Sequence, residues 1–203
     1  ARLFLSIGHG PSFSFFPKRT RPLPHFRPRT APCTHTKRIL SDMRNIFTLA
    51  QTDVHPTTHA VLGSNMRAEA GTGQEVIYLA AGCFWGVEKA LWNTPGVVTT
   101  ATGYMGGHST NPTYEQVCSH STGHAETVRV VFDTALTSAA YLIRLFFEIH
   151  DPTQVGGQGN DIGDQYRSAI WTTTESQLHD ATALRAAYQE VLTERGFGPI
   201  QTD

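Results

Sequence analysis

Residues 75–92, EVIYLAAGCFWGVEKALW, change their hydrophobic period in the middle. The first half, EVIYLAAG, is a continuous apolar run of the length of a buried strand. The second, FWGVEKALW, repeats the apolar residues Phe84, Val87 and Leu91 at the three-and-four spacing of a helix face, and the following NTPG ends it. Cys83 falls at the junction, directly after Gly82 and directly before two aromatic rings. A sulfur in that position stands near a helix N-terminus, where unpaired N–H groups and the helix dipole favour a thiolate. The competing reading is a small buried hydrophobe, a common environment for free cysteine. The junction alone leaves both open.

Outward from this unit the punctuation stays regular. Residues 97–105, VVTTATGYM, form a second β-rich run, and residues 106–124 form a long irregular loop with one helical turn at 114–118. A loop of that length inside a folded domain is usually functional. Next come a strand AETVRVVFD, a helix SAAYLIRLFFEIH, a second Gly-rich loop DPTQVGGQGNDIGDQ and a strand YRSAIWTT. A final helix, ESQLHDATALRAAYQEVLTER, is closed by Gly196. Helices and strands alternate without a strict βαβ series, which predicts an α+β sheet with helices packed on it. The chain stops at GPIQTD, where another strand could begin, so we read the C-terminal part as truncated, with a sheet edge or a wall of the site missing.

Composition bounds the rest. A chain of 203 residues, 39% of them hydrophobic, can build one core with a tail. No stretch approaches the roughly 18 uninterrupted apolar residues of a membrane span, so no membrane association is expected. Three cysteines, Cys33, Cys83 and Cys118, are too few for a disulfide framework and point to a reducing compartment. The net charge of -1 conceals an asymmetry: residues 1–41 hold eight Lys or Arg and no acid, whereas residues 69–203 hold six basic and fifteen acidic residues. The basic head has three readings: a nucleic-acid arm, an organelle transit peptide, or non-native translation upstream of a start at Met43. We leave it out of the fold and take residues 42–68 as a linker or surface wrap.

The residues with chemistry to offer lie downstream. Alternation along TGHAETVRVVF puts Glu126 on one face with Val128, Val130 and Phe132. A carboxyl on an apolar face has either a buried partner or a raised pKa, which makes it a proton donor near neutrality; the plain alternative is a strand-end glutamate reaching water. Tyr114, Asp161 and Tyr166, in or beside the two loops, can hydrogen-bond a polar ligand oxygen, and by themselves are ordinary loop residues. Cys118, His120 and His124 invite a zinc reading, but one cluster without a second pair of ligands is weak, and no metal is expected.

Four segments, GCFWGVE, GYMGGHSTNPTYEQVC, TGHAE and GNDIGDQYRSAI, resemble the signature segments of the A-type peptide methionine sulfoxide reductases, in order and at the family's spacing. The resemblance runs from about His59 to the last residue and does not cover the basic head. It implies that Cys83 attacks the sulfoxide sulfur and that Glu126 protonates the sulfoxide oxygen. It implies further that Tyr114 and Tyr166 hydrogen-bond that oxygen, that Asp161 binds through water, and that Phe84 and Trp85 form the pocket for the substrate S-methyl group. Cys83 would then be left as a sulfenic acid that condenses with a second thiol. Many family members place resolving cysteines in a C-terminal tail, whereas no cysteine here lies beyond Cys118, which leaves Cys118 or an external thiol such as thioredoxin as the resolving group. Asp164 stands where the family usually has a small polar residue.

The expectation is therefore an α+β fold, a ferredoxin-like mixed sheet with packed helices and long functional loops. Residues 1–68 would form a basic extension and linker, and residues 69–203 the catalytic domain. The activity implied is thiol-dependent reduction of methionine S-sulfoxide, free or in proteins, by a cytoplasmic monomer. It would need no cofactor and no nucleic acid. The alternatives are an organellar location, if residues 1–41 are a transit peptide, and a catalytically impaired fragment of the same fold.

Overall fold

The structure, a computed structural model, describes residues 47–49 and 57–203, all within the compact unit Lys37–Asp203. The basic head and Cys33 lie outside the described residues. The first described element is a two-residue strand β1, Thr48–Leu49. The main elements follow as β2 (Gln74–Ala81), α1 (Phe84–Trp92), β3 (Val97–Met105), α2 (Tyr114–Cys118), β4 (Ala125–Asp133) and α3 (Ala139–Ile149). A small hairpin, β5 (Gly157–Gln158) and β6 (Asp161–Ile162), precedes β7 (Ser168–Thr172) and α4 (Glu175–Glu194).

The five-stranded sheet has the order β1-β3-β4-β2-β7, and each described pairing in it is antiparallel. Two β-α-β units, β2-α1-β3 and β4-α3-β7, interleave so that each central strand lies between the two strands of the other unit. That interleaving is the ferredoxin-like arrangement, and it puts β2 and β4 side by side at the centre. Both strands consequently turn a mainly apolar face to the helices: Ile77, Leu79, Val128, Val130 and Phe132 are all at most 1% exposed.

Helix α3 shows why the helices sit where they do. Ser138 accepts the N–H of Tyr141 as N-cap, and Ala139, Leu142, Ile143, Phe146 and Phe147 form one buried stripe at helical spacing. Helix α4 is more polar, and docks through Leu192, half-buried Ala181, Leu184 and Tyr188, and one polar residue. That residue, Gln177, is buried with both ends of its amide satisfied. Its Nε2 donates to Glu75 Oε2 at 2.8 Å and to the Val76 carbonyl at 3.1 Å, and its Oε1 accepts the Thr173 N–H at 2.9 Å.

The opposite face of β4 is also covered. Buried Arg129 donates to the carbonyls of Met66 and Ala68, and buried His59 binds Thr100 Oγ1 at 2.8 Å through Nε2. Since the N–H groups of Val61 and Leu62 donate to His59 Nδ1, Nε2 carries the proton of the neutral ring. At the other end of the chain, residues 200–203 lie along β7. The N–H of Ile170 donates to the Asp203 carbonyl, the N–H of Asp203 to the Ser168 carbonyl, and Ile200 and Thr202 are buried.

Candidate active site

Helix α1 begins without a local cap: Cys83 occupies the N-cap position, makes no side-chain capping bond, and is followed by no acid in the first turn. The missing acceptor comes from across the sheet. The main-chain N–H of Phe84 donates to Glu126 Oε2 at 2.9 Å, so a carboxyl from β4 caps the helix that Cys83 heads. Glu126 is 3% exposed, on the apolar face expected from the alternation. Burial raises its pKa to about 7, against the lowering effect of the Phe84 N–H and with a further push from the charge of Asp161. Oε2 is occupied by the N–H, which leaves Oε1 to carry a transferable proton. Cys83 itself is half-buried and not in a disulfide.

Backbone freedom is needed just before the cysteine. Gly82 has φ +97°, and a Cβ there would stand 2.7 Å from Cγ of Gln158. Gln158 is fastened in turn by Asp151, whose N–H donates to its Oε1 and whose carbonyl accepts from its Nε2. The second Gly-rich loop is thus tied down beside Cys83.

The two long loops converge on Glu126. Tyr114, half-exposed, has its pKa pushed up to about 12, first by its hydrogen bond with the Cys118 side chain, then by the charge of Cys118, burial, and the charges of Tyr166 and Glu126. Tyr166 is raised by burial and by Glu126, and also senses Asp161 and Cys118. Five of the residues singled out from the sequence, Tyr114, Cys118, Glu126, Asp161 and Tyr166, therefore form one interacting cluster. The two rings after Cys83 part company. Trp85 is 76% exposed, a wall open to solvent, whereas Phe84 is 5% exposed and packs in the core with its ring centroid 5.9 Å from that of Tyr104.

The Cys118–His120–His124 zinc reading does not survive the geometry. His124 Nδ1 accepts the Gly107 N–H and its Nε2 lies 2.8 Å from the Ser109 carbonyl, so both ring nitrogens are in use. Gly107 allows this approach, because a Cβ on it would lie 2.3 Å from the His124 ring. His120 pairs with Asp164 at 3.1 Å, and no group of three metal-binding side chains occurs among the described residues. Asp164 is thereby accounted for as a half-exposed partner of His120, and it is Asp161 that acts on the acid.

Sequence reasoning missed three participants. Tyr104 is the cross-strand partner of Glu126, an assignment that depends on which strands pair. Gln158 had no signal beyond its place between glycines. The His120–Asp164 pair joins residues 44 apart, though an added carboxylate at position 164 was visible.

The structure thus sets a free cysteine at the head of a helix whose first N–H is held by a buried carboxyl of raised pKa, on a ferredoxin-like sheet. Residues 75–199 match the family described as peptide methionine sulfoxide reductase, and the chain belongs to that family. It is 52% identical over 143 residues to the peptide methionine sulfoxide reductase MsrA of Agrobacterium fabrum, covering 70% of this chain and 66% of the relative. With the MsrA of Xanthomonas campestris pv. phaseoli it shares 53% identity over 146 residues, 72% of this chain and 67% of the relative. The chain thus spans about two thirds of the length of these curated relatives. Among solved structures, methionine sulfoxide reductase A of Corynebacterium diphtheriae superposes with a TM-score of 0.67 at 39% identity, over 81% of this chain and 78% of that one. Mxr1 of Saccharomyces cerevisiae in reduced form does so with a TM-score of 0.59 at 29% identity, over 66% and 77%. No described helix is long and apolar enough to cross a membrane.

Proposed function

We propose that this chain reduces the S epimer of methionine sulfoxide, free or in proteins, to methionine. The observation that carries the reading is the hydrogen bond from the Phe84 N–H to Glu126, which fixes a protonatable carboxyl beside the residue that follows Cys83. The Cys83 thiolate attacks the sulfoxide sulfur while Glu126 delivers its proton to the sulfoxide oxygen, a leaving group only once protonated. Tyr114 and Tyr166 donate hydrogen bonds to that oxygen, Asp161 binds through water, and Phe84 and Trp85 flank the S-methyl group. The hydroxyl so formed passes to the Cys83 sulfur as methionine departs, so that thiolate, sulfoxide and the one proton together give methionine and a sulfenic acid. A second thiol then attacks the sulfenic sulfur, water leaves, and the disulfide is reduced by thioredoxin or another dithiol. Cys118, beside Tyr114, is the resolving candidate within the chain. We assign catalysis to residues 69–203, with residues 1–68 as extension and linker, and the working form to a cytoplasmic monomer.

The test is a single turnover without reductant, measuring methionine formed per protein from the S-sulfoxide, with Cys83→Ser as control. About one equivalent, lost in the variant, is expected for a nucleophile consumed once. No product from the unsubstituted protein would overturn the reading in favour of an impaired form of the fold.

A further inference from the structure

One group beside the acid has no employment in the reaction described above. Tyr104 is 0% exposed, and its hydroxyl has no hydrogen-bond partner among the described residues. Leaving a buried hydroxyl unpaired is costly, and phenylalanine would avoid that cost. The ring needs no hydroxyl to pack on Phe84. The position of the phenol is informative. Tyr104 stands directly opposite Glu126 in the β3–β4 ladder, so the two side chains rise on the same face of the sheet. Its ring also lies against Phe84, whose N–H already holds Oε2 of that carboxyl.

We propose that Tyr104 is a positioning residue for the acid: its hydroxyl is held in reserve to donate to the Glu126 carboxylate that remains once the proton has passed to the sulfoxide oxygen. This rests on the functional reading above. In the protonated acid the Phe84 N–H suffices. In the carboxylate a buried charge needs a second donor, and a fully desolvated phenol opposite it is that donor. Burial, followed by the nearby charges of Glu126, Cys118, Tyr114 and Glu115, holds the Tyr104 hydroxyl well above the ordinary phenol range, so it stays protonated and able to donate. The other groups that interact with Glu126 are Tyr114 on α2, Asp161 on β6 and Tyr166 beyond it, with Cys118 in contact with the phenols and Cys83 one residue before the Phe84 N–H that Glu126 accepts. Of the three phenols, Tyr114 and Tyr166 belong to loops and are assigned to substrate, and only Tyr104 is built into the sheet.

The test compares Tyr104→Phe with the unsubstituted protein by carbon-13 NMR titration of the Glu126 carboxyl, which requires no turnover, and by single-turnover rate. Losing the donor to the charged form should raise the Glu126 midpoint by about one unit and slow methionine formation roughly tenfold. Thermal stability should not fall, since an unpaired hydroxyl has been removed. A protein with 3-fluorotyrosine at position 104, a more acidic donor, should move the midpoint the opposite way, and it preserves the test if Tyr104→Phe does not fold. An unshifted midpoint overturns the proposal whatever happens to the rate. Absence of product from the unsubstituted protein, with the midpoint shifted as expected, would instead reject the functional reading and leave the Tyr104–Glu126 relationship standing.

Discussion

Phe84 and Glu126 are 42 residues apart in the chain and joined by a 2.9 Å hydrogen bond, main-chain N–H to carboxylate oxygen. The bond does two jobs that usually fall to different residues. It caps α1, which has no local cap, and it fixes the acid relative to the preceding residue, Cys83.

The first prediction concerns rate against pH. With a midpoint of about 7, the fraction of Glu126 able to donate a proton falls as pH rises through neutrality. Single-turnover rates should therefore show a descending limb centred near pH 7. In Glu126→Gln that limb should be absent and the rate lower by roughly 10²–10⁴-fold. A descending limb that persists in the variant would remove Glu126 from the role of acid.

The same residue should leave a mark on stability. A carboxyl whose pKa rises on folding disfavours the folded state above its unfolded value of 4.5, increasingly up to about pH 7 and constantly beyond. Glu126→Gln keeps an acceptor for the Phe84 N–H and removes this burden. It should be more stable than the unsubstituted protein at pH 8 by on the order of 2–3 kcal/mol, with the difference vanishing near pH 4. Denaturant unfolding at the two pH values would show it.

Much of this could be read in the chain and some could not. The bounds of α1, β3 and α2 and the inward face of β4 are local matters, because hydrophobic period and turn residues determine them. The choice of strand neighbours is not local. Tyr104 lay in plain view at the end of VVTTATGYM, but nothing within that run places it opposite Glu126. The pair of rings after Cys83 shows the same boundary: adjacent residues on a helix point in different directions, which sent Phe84 to the core and Trp85 to the surface.

His150 supplies an independent pH test away from the chemistry. Its Nδ1–H donates to the Phe146 carbonyl and its Nε2 accepts from Ser168, so the fold holds the neutral ring. Burial lowers its pKa from 6.5 to about 4, partly opposed by that carbonyl and by Asp151. This contribution to stability is complete above pH 6.5 and is lost as pH falls towards 4. Thermal midpoints recorded across that window should drop, and His150→Gln should flatten this part of the dependence while lowering stability at pH 7.

A double-mutant cycle on His120 and Asp164 should return a small coupling. The pair is about half exposed, so less than about 1 kcal/mol is expected, weakening with salt. His120 also adopts φ +58°, a left-handed conformation that glycine accepts without strain. His120→Gly should therefore change stability little, since relief of the backbone offsets loss of the pair. A coupling of several kcal/mol would show the clasp to be a principal strut of the site.

The interleaving of the two β-α-β units has an evolutionary corollary. Cys83 follows β2 and Glu126 lies on its neighbour β4, whereas the phenols and the carboxylate assigned to substrate in the proposed reaction lie in the two long loop regions. Under the proposed function, variation in those loops would change which substrates are admitted while Cys83 and Glu126 stay in register, so that substrate range and chemistry would diverge independently in descendants of this chain.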